Sequence, residues 1–420
     1  MLEQPRTRIR WVILALIFCA TTINYLDRIV FSVLIQTIRE EMVLDDRMYG
    51  YVNGAFQFAY TLGFLAMGKF IDRFGTKIGY SVAIAWWSLA AALHAFARTP
   101  LHLGFWRAML GLGEAGNFPA AIKSVAEWFP KKDRAFATGI FNAGTNVASM
   151  IGPPLFAVMA INFGWRACFL ITGAAGFVWL AFWWVMYRMP ERHPGVNKAE
   201  LEYIRSDAED KAAPSIGWAA ALRYRQTWGF ALAKFFTDPV WWFYLYWLPP
   251  YLYDVRHFNL KEIGWALPVV YLMADVGSVG GGWISGFLIR RGWENGKARK
   301  AAMAICAGCM PIAAMSVLAP SPLLAIALVS LATAAHQGWS ANLFTTTSDV
   351  FPKNAVASVT GIGGCVGGFG GVLFSAIIPG YMVTYFGYTP VFLTMGVFHL
   401  VALVVVHKFL GDMKPIGQRG

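Results

Sequence analysis

Residues 11–36 read WVILALIFCATTINYLDRIVFSVLIQ, and the only charged side chains in this mostly apolar run are Asp27 and Arg28. A helix needs about 20 mostly apolar residues to cross a bilayer, so the run is long enough to do so. An ionisable side chain inside such a helix is costly in lipid unless it is paired or hydrated, and it therefore marks a candidate functional position. We predict a membrane-spanning helix that carries functional charges.

The composition of the whole chain agrees with a membrane protein. Hydrophobic residues make up 57% of the 420 residues and charged residues 14%, against about 45–50% and about 25% in soluble proteins. The net charge of +12 does not indicate nucleic-acid binding, because the basic residues lie between apolar runs, as membrane topology requires. The five cysteines lie inside apolar runs without metal-site spacing, so we expect neither a metal site nor disulfides.

Twelve apolar runs predict twelve membrane-spanning helices, six on each side of a polar stretch. The first six cover residues 11–36, 48–69, 78–97, 102–127, 134–160 and 166–187, and the last six cover residues 228–253, 261–289, 300–319, 322–350, 355–384 and 388–409. The polar stretch is too charged to enter lipid and is predicted to be a linker, helical in part around residues 198–211. The predicted organisation is an N-terminal half (1–188), the linker (189–226) and a C-terminal half (227–420). Secondary transporters are often built in this way, with the substrate site between the halves.

The distribution of charge predicts the topology. When twelve helices are threaded in order, the basic residues before the first helix, in the linker and near the C-terminus all fall on one side of the membrane. The first connection on the other side is acidic instead, with Glu40, Glu41, Asp45 and Asp46. The positive-inside rule therefore places both termini and the linker in the cytoplasm.

The connection after the second predicted helix carries a known motif. Residues 68–77 read GKFIDRFGTK, which resembles the G-x-x-x-D-R-x-G-x-[RK] motif of the major facilitator superfamily. At the matching place in the second half, Gly286 stands where the superfamily has an acidic residue. NYLDR at 24–28, RAMLGLGEA at 107–115 and the aromatic residues of the seventh predicted helix, such as Trp242 and Tyr246, resemble the anion:cation symporter branch. The stretch HQGWSANLF at 336–344 resembles bacterial hexuronate transporters most closely.

This resemblance implies a fold and a function. The fold would be an all-α integral membrane protein with twelve transmembrane helices in two pseudo-symmetric six-helix halves. The function would be proton-coupled symport, with hexuronates or related sugar acids imported across the bacterial inner membrane by alternating access. An exporter or exchanger of other small organic anions with the same fold is the alternative, and a channel or a membrane sensor is a third hypothesis.

Four ionisable residues are predicted to lie inside membrane helices: Asp27, Arg28, Arg107 and Glu114. Asp27 and Glu114 are candidates for proton coupling, because burial favours the neutral form of a carboxyl group and a nearby arginine favours the charged form. Arg28 is a candidate substrate ligand, because a guanidinium group binds a carboxylate through two parallel hydrogen bonds. Arg107 would pair with an acid or line the pathway. The alternative for all four is a set of structural ion pairs.

Recognition of a sugar acid requires polar groups for its hydroxyls and aromatic faces for its ring. Ordinary packing between membrane helices uses the same side chains, so each candidate has a structural alternative. The candidates near the middle of the predicted helices are Tyr60, Asn142, Thr145, Asn146, Trp242, Tyr246, Gln337, Trp339, Ser340 and Asn342.

Two further features lie outside this set. The resemblance assigns Asp72 and Arg73 to a conformational latch between helices at the cytoplasmic end, with a solvated turn as the alternative. The eleventh predicted helix contains seven glycines between residues 361 and 371. Such a cluster allows either close packing of helices or local flexibility.

The sequence does not indicate an enzyme. Residues 111–116, GLGEAG, match the G-x-G-x-x-G spacing of dinucleotide-binding loops, but they lie inside a predicted membrane helix without a preceding strand. Walker A, H-E-x-x-H and G-x-S-x-G motifs do not occur. We expect a monomer in the lipid bilayer that binds a small organic anion and no nucleic acid. The coupling proton would take the place of a cofactor.

Overall fold

The computed structural model describes residues 7–206, 218–351 and 353–413. Within these ranges all regular secondary structure is helical, which confirms the predicted all-α class. The chain termini and linker residues 207–217, on which the topology prediction partly depends, lie outside the described residues.

Among the described residues, eight α-helices precede the linker and seven follow it, and two short α-helices lie within it. The first eight are α1 (Ile9–Val33), α2 (Ile35–Glu41), α3 (Asp46–Phe74), α4 (Thr76–Leu93), α5 (Pro100–Glu114), α6 (Asn117–Trp128), α7 (Lys131–Phe163) and α8 (Trp165–Met186). The linker contains α9 (Lys198–Ile204) and α10 (Trp218–Ala221). The last seven are α11 (Arg225–Asp254), α12 (Leu260–Arg290), α13 (Asn295–Ala314), α14 (Pro322–Val350), α15 (Lys353–Gly371), α16 (Ile378–Phe386) and α17 (Tyr388–Leu410). A π-helical segment, Val372–Ile377, joins α15 to α16.

Nine helical segments among the described residues are long and apolar enough to cross a membrane. Helices also lie at the other predicted runs, but α5 and α6 have 15 and 12 residues. The other two predicted runs correspond to α3 and α11, and α11 contains Lys234, Asp238 and three prolines. The multi-pass character is therefore established, whereas the count of twelve crossings stays a prediction.

The fourth predicted run, residues 102–127, is not one continuous helix. It breaks after Glu114, the last residue of α5, and α6 begins at Asn117. Close packing on α4 accompanies the break, because a Cβ atom on Gly113 would lie 2.8 Å from the backbone nitrogen of Trp87. In addition, the Tyr80 hydroxyl of α4 donates to Asn117 Oδ1 at 2.6 Å. As a result, Glu114 lies at a helix end.

Similar residues mark the beginnings of helices on both sides of the linker. Thr99 caps α5 and Ser321 caps α14, each by accepting a hydrogen bond from the backbone N–H of the third residue of its helix, and each is followed by a proline. Gly164 and Gly387 precede α8 and α17 with φ of 79° and 73°, a backbone conformation that favours glycine. These repeated signals support the internal duplication that hydropathy predicts.

Contacts divide the chain into two compact units. Unit 1 consists of Met1–Ile38 and Ala59–Lys211, and unit 2 of Arg39–Phe58 and Ala212–Gly420. The helix α3 therefore contributes its first part to unit 2 and its second part to unit 1. The predicted division at residues 188 and 227 stays a prediction.

Close helix contacts through glycine organise both units. In unit 1, α1 packs on α7 and α8, and α4 packs on α5 and α8. In unit 2, α12 crosses α14 so closely that a Cβ atom on Gly281 would lie 2.4 Å from Gly338 Cα. The helix α11 packs on α15 in the same way, because a Cβ atom on Gly370 would lie 2.2 Å from the Phe235 carbonyl oxygen. Gly370 of α15 therefore serves close packing, which is one of the two alternatives that the sequence leaves open for these glycines.

Replacement of Gly370 by alanine should destabilise the protein by about 1–3 kcal/mol, because the added methyl group collides with the backbone of α11. The matched control is Gly364→Ala in the same helix, where a Cβ atom would meet nothing within 4 Å. Thermal unfolding of the two purified variants in detergent measures the difference. Equal melting temperatures for both variants would contradict the packing assignment.

Candidate functional site

The charges of α1 and α5 meet inside unit 1. Arg28 Nε donates to Glu114 Oε2 at 2.9 Å, and Arg28 Nη2 lies 2.8 Å from the same oxygen. The Glu114 side chain is fully buried and the Arg28 side chain is 3% exposed. Either charge alone would be costly in such a buried position. Pairing neutralises both charges and reduces this cost.

Two aromatic rings surround the guanidinium group of Arg28. Its Cζ atom lies 4.5 Å from the ring centroid of Tyr25 and 4.6 Å from that of Tyr60. Aromatic faces attract a cation and limit the orientations of its plane. Arg28, Glu114, Tyr25 and Tyr60 form one group, which we call the unit 1 charge cluster. Tyr60 was predicted as a substrate ligand, and the structure places it beside Arg28.

Arg107 supports this cluster from one side. Its Nη2 donates to the backbone oxygen of Arg28 at 3.1 Å, and its Cζ lies 4.9 Å from the ring centroid of Phe31. Since Arg107 and Glu114 are two helical turns apart on α5, both reach the same stretch of α1. Arg107 thereby fixes the backbone of Arg28, which is the candidate substrate ligand.

Asp27 faces different surroundings from Arg28, as the 100° rotation between successive helical residues predicts. Its side chain is fully buried, and neither carboxylate oxygen has a hydrogen-bond partner in the part of the chain that the structure describes. The charges of Glu114 and Arg107 also act on it. Both predicted proton-coupling acids are therefore buried in unit 1, and their role stays a prediction.

Asn24 lies one turn before Arg28 and was not among the predicted site residues. Its side chain is fully buried, and neither amide atom has a hydrogen-bond partner in the part of the chain that the structure describes. A buried amide without partners is costly, so such a group is a candidate ligand for a hydroxyl. In the sequence, its position in the NYLDR stretch at residues 24–28 was the signal that could have identified it as a site residue.

Unit 2 brings together a second set of predicted residues. The Tyr246 hydroxyl donates to Gln57 Oε1 at 3.0 Å. Trp242 lies against Gly371, where a Cβ atom would come within 2.3 Å of the indole ring and 3.4 Å of Gln57 Cδ. Gln57 was missed because it lies in α3, far from α11 in sequence. Together the three side chains offer an aromatic face with a hydroxyl and an amide beside it.

The α14 candidates divide into two kinds. Asn342 Nδ2 donates to the carbonyl oxygens of Gly281 and Gly338, both at 2.9 Å, and thereby joins α12 to α14. Trp339 is fully buried and packs edge-to-face against His399, with ring centroids 5.4 Å apart. Both side chains are engaged in helix packing, whereas Gln337 and Ser340 are half-buried. A role of any of the four in substrate binding stays a prediction.

The α7 candidates lie within one turn of each other. Thr145 Oγ1 donates to the backbone oxygen of Asn142 at 2.8 Å and approaches Asn146 Oδ1 at 3.2 Å. Asn142 itself is exposed. The structure therefore leaves the Asn142 side chain accessible, and its assignment to substrate binding stays a prediction.

Asp72 and Arg73 lie near the end of α3 in unit 1. Asp72 Oδ1 is 2.9 Å from Lys123 Nζ of α6, although the Asp72 side chain is 78% exposed. Lys123 Nζ also donates to the Ile71 carbonyl oxygen at 3.2 Å. Arg73 lies with its Cζ 5.5 Å from the Phe74 ring. These contacts join α3 to α6, and the latch function stays a prediction.

The largest omission from the sequence-based site is an ion pair in unit 2. Lys234 Nζ of α11 lies 2.8 Å from Asp238 Oδ2, and the two side chains are 7% and 17% exposed. The signal was present, since both residues fall inside the predicted seventh membrane run at helical i,i+4 spacing. In the described residues no group of three or more His, Cys, Asp or Glu could hold a metal ion.

The chain is similar in sequence and in fold to known transporters. The Major Facilitator Superfamily pattern matches residues 17–375. A hexuronate transporter of Escherichia coli is 32% identical over 97% of this chain and 95% of its own length. A D-galactonate transporter of Escherichia coli is 30% identical over 98% of this chain and 97% of its own length. The crystal structure of a bacterial homologue of the human lysosomal transporter Spinster superposes with a TM-score of 0.74, at 19% identity and 97% coverage of both chains, and shows the fold alone.

A double-mutant cycle tests whether the Arg28–Glu114 contact is the electrostatic pair described above. Glu114→Leu should lower the free energy of unfolding by roughly 3–5 kcal/mol, because it leaves the buried Arg28 charge without a counter-charge. The double variant Arg28→Met/Glu114→Leu removes both charges and should regain most of that loss. Chemical or thermal unfolding in detergent provides the measurement. The second single variant is Arg28→Met. A loss of stability in the double variant equal to the summed losses of the two single variants would contradict the pairing.

Proposed function

The chain belongs to the major facilitator superfamily, and on this basis we propose that it is a proton-coupled symporter that imports hexuronates or related sugar acids. The relatives that match this chain are transporters and not enzymes. The substrate class is supported by two full-length relatives, which are named as hexuronate and D-galactonate transporters. The proton coupling is supported by the chemistry of the unit 1 charge cluster.

The buried pair of Arg28 and Glu114 is the observation that carries this proposal. The carboxylate of a sugar acid would take the place of Glu114 on the guanidinium group, whose planar geometry suits either partner. Glu114 would then be an unpaired carboxylate in a low-dielectric region and would bind a proton. The exchange adds one negative and one positive charge, so the site stays neutral.

This charge balance explains why the two ligands would bind together. A carboxylate that arrives without a proton leaves one uncompensated negative charge inside the membrane, and a proton that arrives alone leaves one positive charge. Either state is costly at membrane depth, whereas the state with both ligands is not. Coupling thus follows from electrostatics and requires no ATP site.

Asp27 is proposed as the second acid of the proton pathway. It is fully buried and within electrostatic range of both Glu114 and Arg107. Since neighbouring acids influence each other's protonation, a proton on Asp27 would bias the proton on Glu114 and vice versa. Arg107 would position the backbone of Arg28 during the exchange.

Other side chains are proposed to bind the rest of the sugar acid. Tyr60 and Asn24 lie beside Arg28 in unit 1. Trp242, Tyr246 and Gln57 of unit 2 are proposed as a separate set of ligands, which offers a face for a ring and polar atoms for hydroxyls. The remaining predicted ligands, listed for completeness, are Asn142, Thr145, Gln337, Trp339, Ser340 and Asn342.

Transport would proceed by alternating access in a monomer in the bacterial inner membrane, with both termini in the cytoplasm. The Asp72–Lys123 contact is proposed to be the part of the latch that holds α3 and α6 in one conformation. Since Asp72 lies at a helix end, its loss would affect the rate of cycling more than substrate binding.

Reconstituted vesicles test the proposal directly. An imposed inward pH gradient should drive uphill uptake of labelled D-glucuronate in the wild type, because protons and substrate move together. Glu114→Gln mimics the protonated acid, so counterflow exchange should survive while uphill uptake is lost. Asp27→Asn should also lose uphill uptake. Asp45→Asn, at an exposed acid paired with Arg47, is the matched control and should behave as the wild type.

Two results would overturn the proposal. Wild-type accumulation that ignores the pH gradient and follows sodium would exclude proton coupling. Exchange that proceeds equally in both directions without any response to the gradient would instead favour an exchanger. Wild-type accumulation by Glu114→Gln or Asp27→Asn would remove that residue from the proton pathway.

A further inference from the structure

Unit 2 contains its own ion pair at membrane depth, formed by Lys234 and Asp238 in the middle of α11. Lys234 Nζ lies 3.0 Å from Asp238 Oδ1 and 2.8 Å from Asp238 Oδ2. Both residues belong to the same helix, so their contact does not join two helices. The usual structural explanation for a buried ion pair, that it fixes one helix against another, therefore does not account for it.

The glycine face of α15 makes room for this pair. A Cβ atom on Gly367 would lie 2.3 Å from Asp238 Oδ2, and one on Gly363 would lie 3.1 Å from Lys234 Cδ. Any larger residue at Gly367 would collide with the acid. The packing of α15 on α11 thus leaves the space that two charged side chains need within a tightly packed unit.

The cation of this pair has aromatic neighbours, as the cation of unit 1 does. Lys234 Nζ lies 4.3 Å from the ring centroid of Phe344 and 5.9 Å from that of Phe230. These faces can hold an ammonium group after its carboxylate partner has become neutral. The acid is the more accessible member, because the Asp238 side chain is 17% exposed and that of Lys234 is 7% exposed.

The helices packed on α11 bring few other titratable groups near the middle of their length. The ring of His336 on α14 lies within range of the Lys234 charge and 3.3 Å from His399 on α17, measured between Nδ1 and Nε2. The α15 helix carries Cys365, and α12 carries Asp275 and Tyr271, whose ring centroid lies 6.0 Å from that of Trp241 of α11. Asp238 is the acid in direct contact with the buried cation, so it is the group whose protonation changes the charge of this region.

We propose that Asp238 is a further proton-binding residue of the transport cycle, and that the Lys234–Asp238 pair opens when Asp238 takes up a proton. The carboxylate accepts the proton on one of its two oxygens, both of which face Lys234, and the ammonium group remains charged against Phe344 and Phe230. This inference rests on the proposed proton symport. It adds a coupling site in unit 2 that the acids of unit 1 do not include.

The coupling ratio of reconstituted protein tests this inference. The ratio of protons to labelled D-glucuronate is obtained from the pH gradient that just stops net flux against a known substrate gradient. Asp238→Asn should lower the ratio by one proton per substrate, with counterflow exchange retained. The double variant Lys234→Met/Asp238→Asn, which removes both charges, should show the same reduced ratio and guards against a folding defect of the single variant.

The matched control is Asp349→Asn, which removes an acid of unit 2 from its 3.2 Å contact with Arg299 and should leave the ratio unchanged. A wild-type ratio in the double variant would overturn the inference and make the pair structural. A wild type that shows no response to pH would instead contradict the proposed symport, so the two failures are distinguishable.

Discussion

Neutralisation of charge inside the membrane is the constraint on which the rest of this structure depends. Arg28 and Glu114 are buried and 2.8 Å apart, and Lys234 and Asp238 are separated by the same distance in the other unit. A single ionised group at such a depth is costly unless an opposite charge or aromatic faces stabilise it. An anionic substrate can replace the acidic partner if a proton arrives with it. In the proposed symport, recognition of the substrate and coupling to the proton would both follow from this requirement.

The two units meet this constraint with different residues and similar surroundings. Each places a cation next to an acid and beside two aromatic rings, Tyr25 and Tyr60 in unit 1 and Phe230 and Phe344 in unit 2. Arginine suits bidentate binding of a carboxylate, whereas lysine presents a single point charge. The interhelical pair lies between α1 and α5, while the other lies within α11. This difference agrees with substrate binding at the arginine and proton binding at the aspartate.

The fold class and the charges of α1 and α5 could be predicted from the sequence, because hydropathy and intramembrane charge depend on local residue type. The choice of partner could not be predicted. Glu114 shares a helix with Arg107 yet pairs with Arg28, and the helical pattern of the sequence does not indicate which side chains meet across α1 and α5. Gln57 pairs with Tyr246 across 189 residues of sequence, a contact that no local pattern indicates. Lys234 and Asp238, by contrast, were visible at i,i+4 spacing and were overlooked among the apolar residues of their run.

Proton uptake on substrate binding tests the central claim most directly. D-Glucuronate is added to detergent-purified protein in a weakly buffered solution with a pH indicator, and protons taken up are compared with substrate bound. The exchange on Arg28 predicts at least one proton bound per glucuronate, and one fewer in Glu114→Gln. Binding of glucuronate by the wild-type protein without any proton uptake would contradict the account.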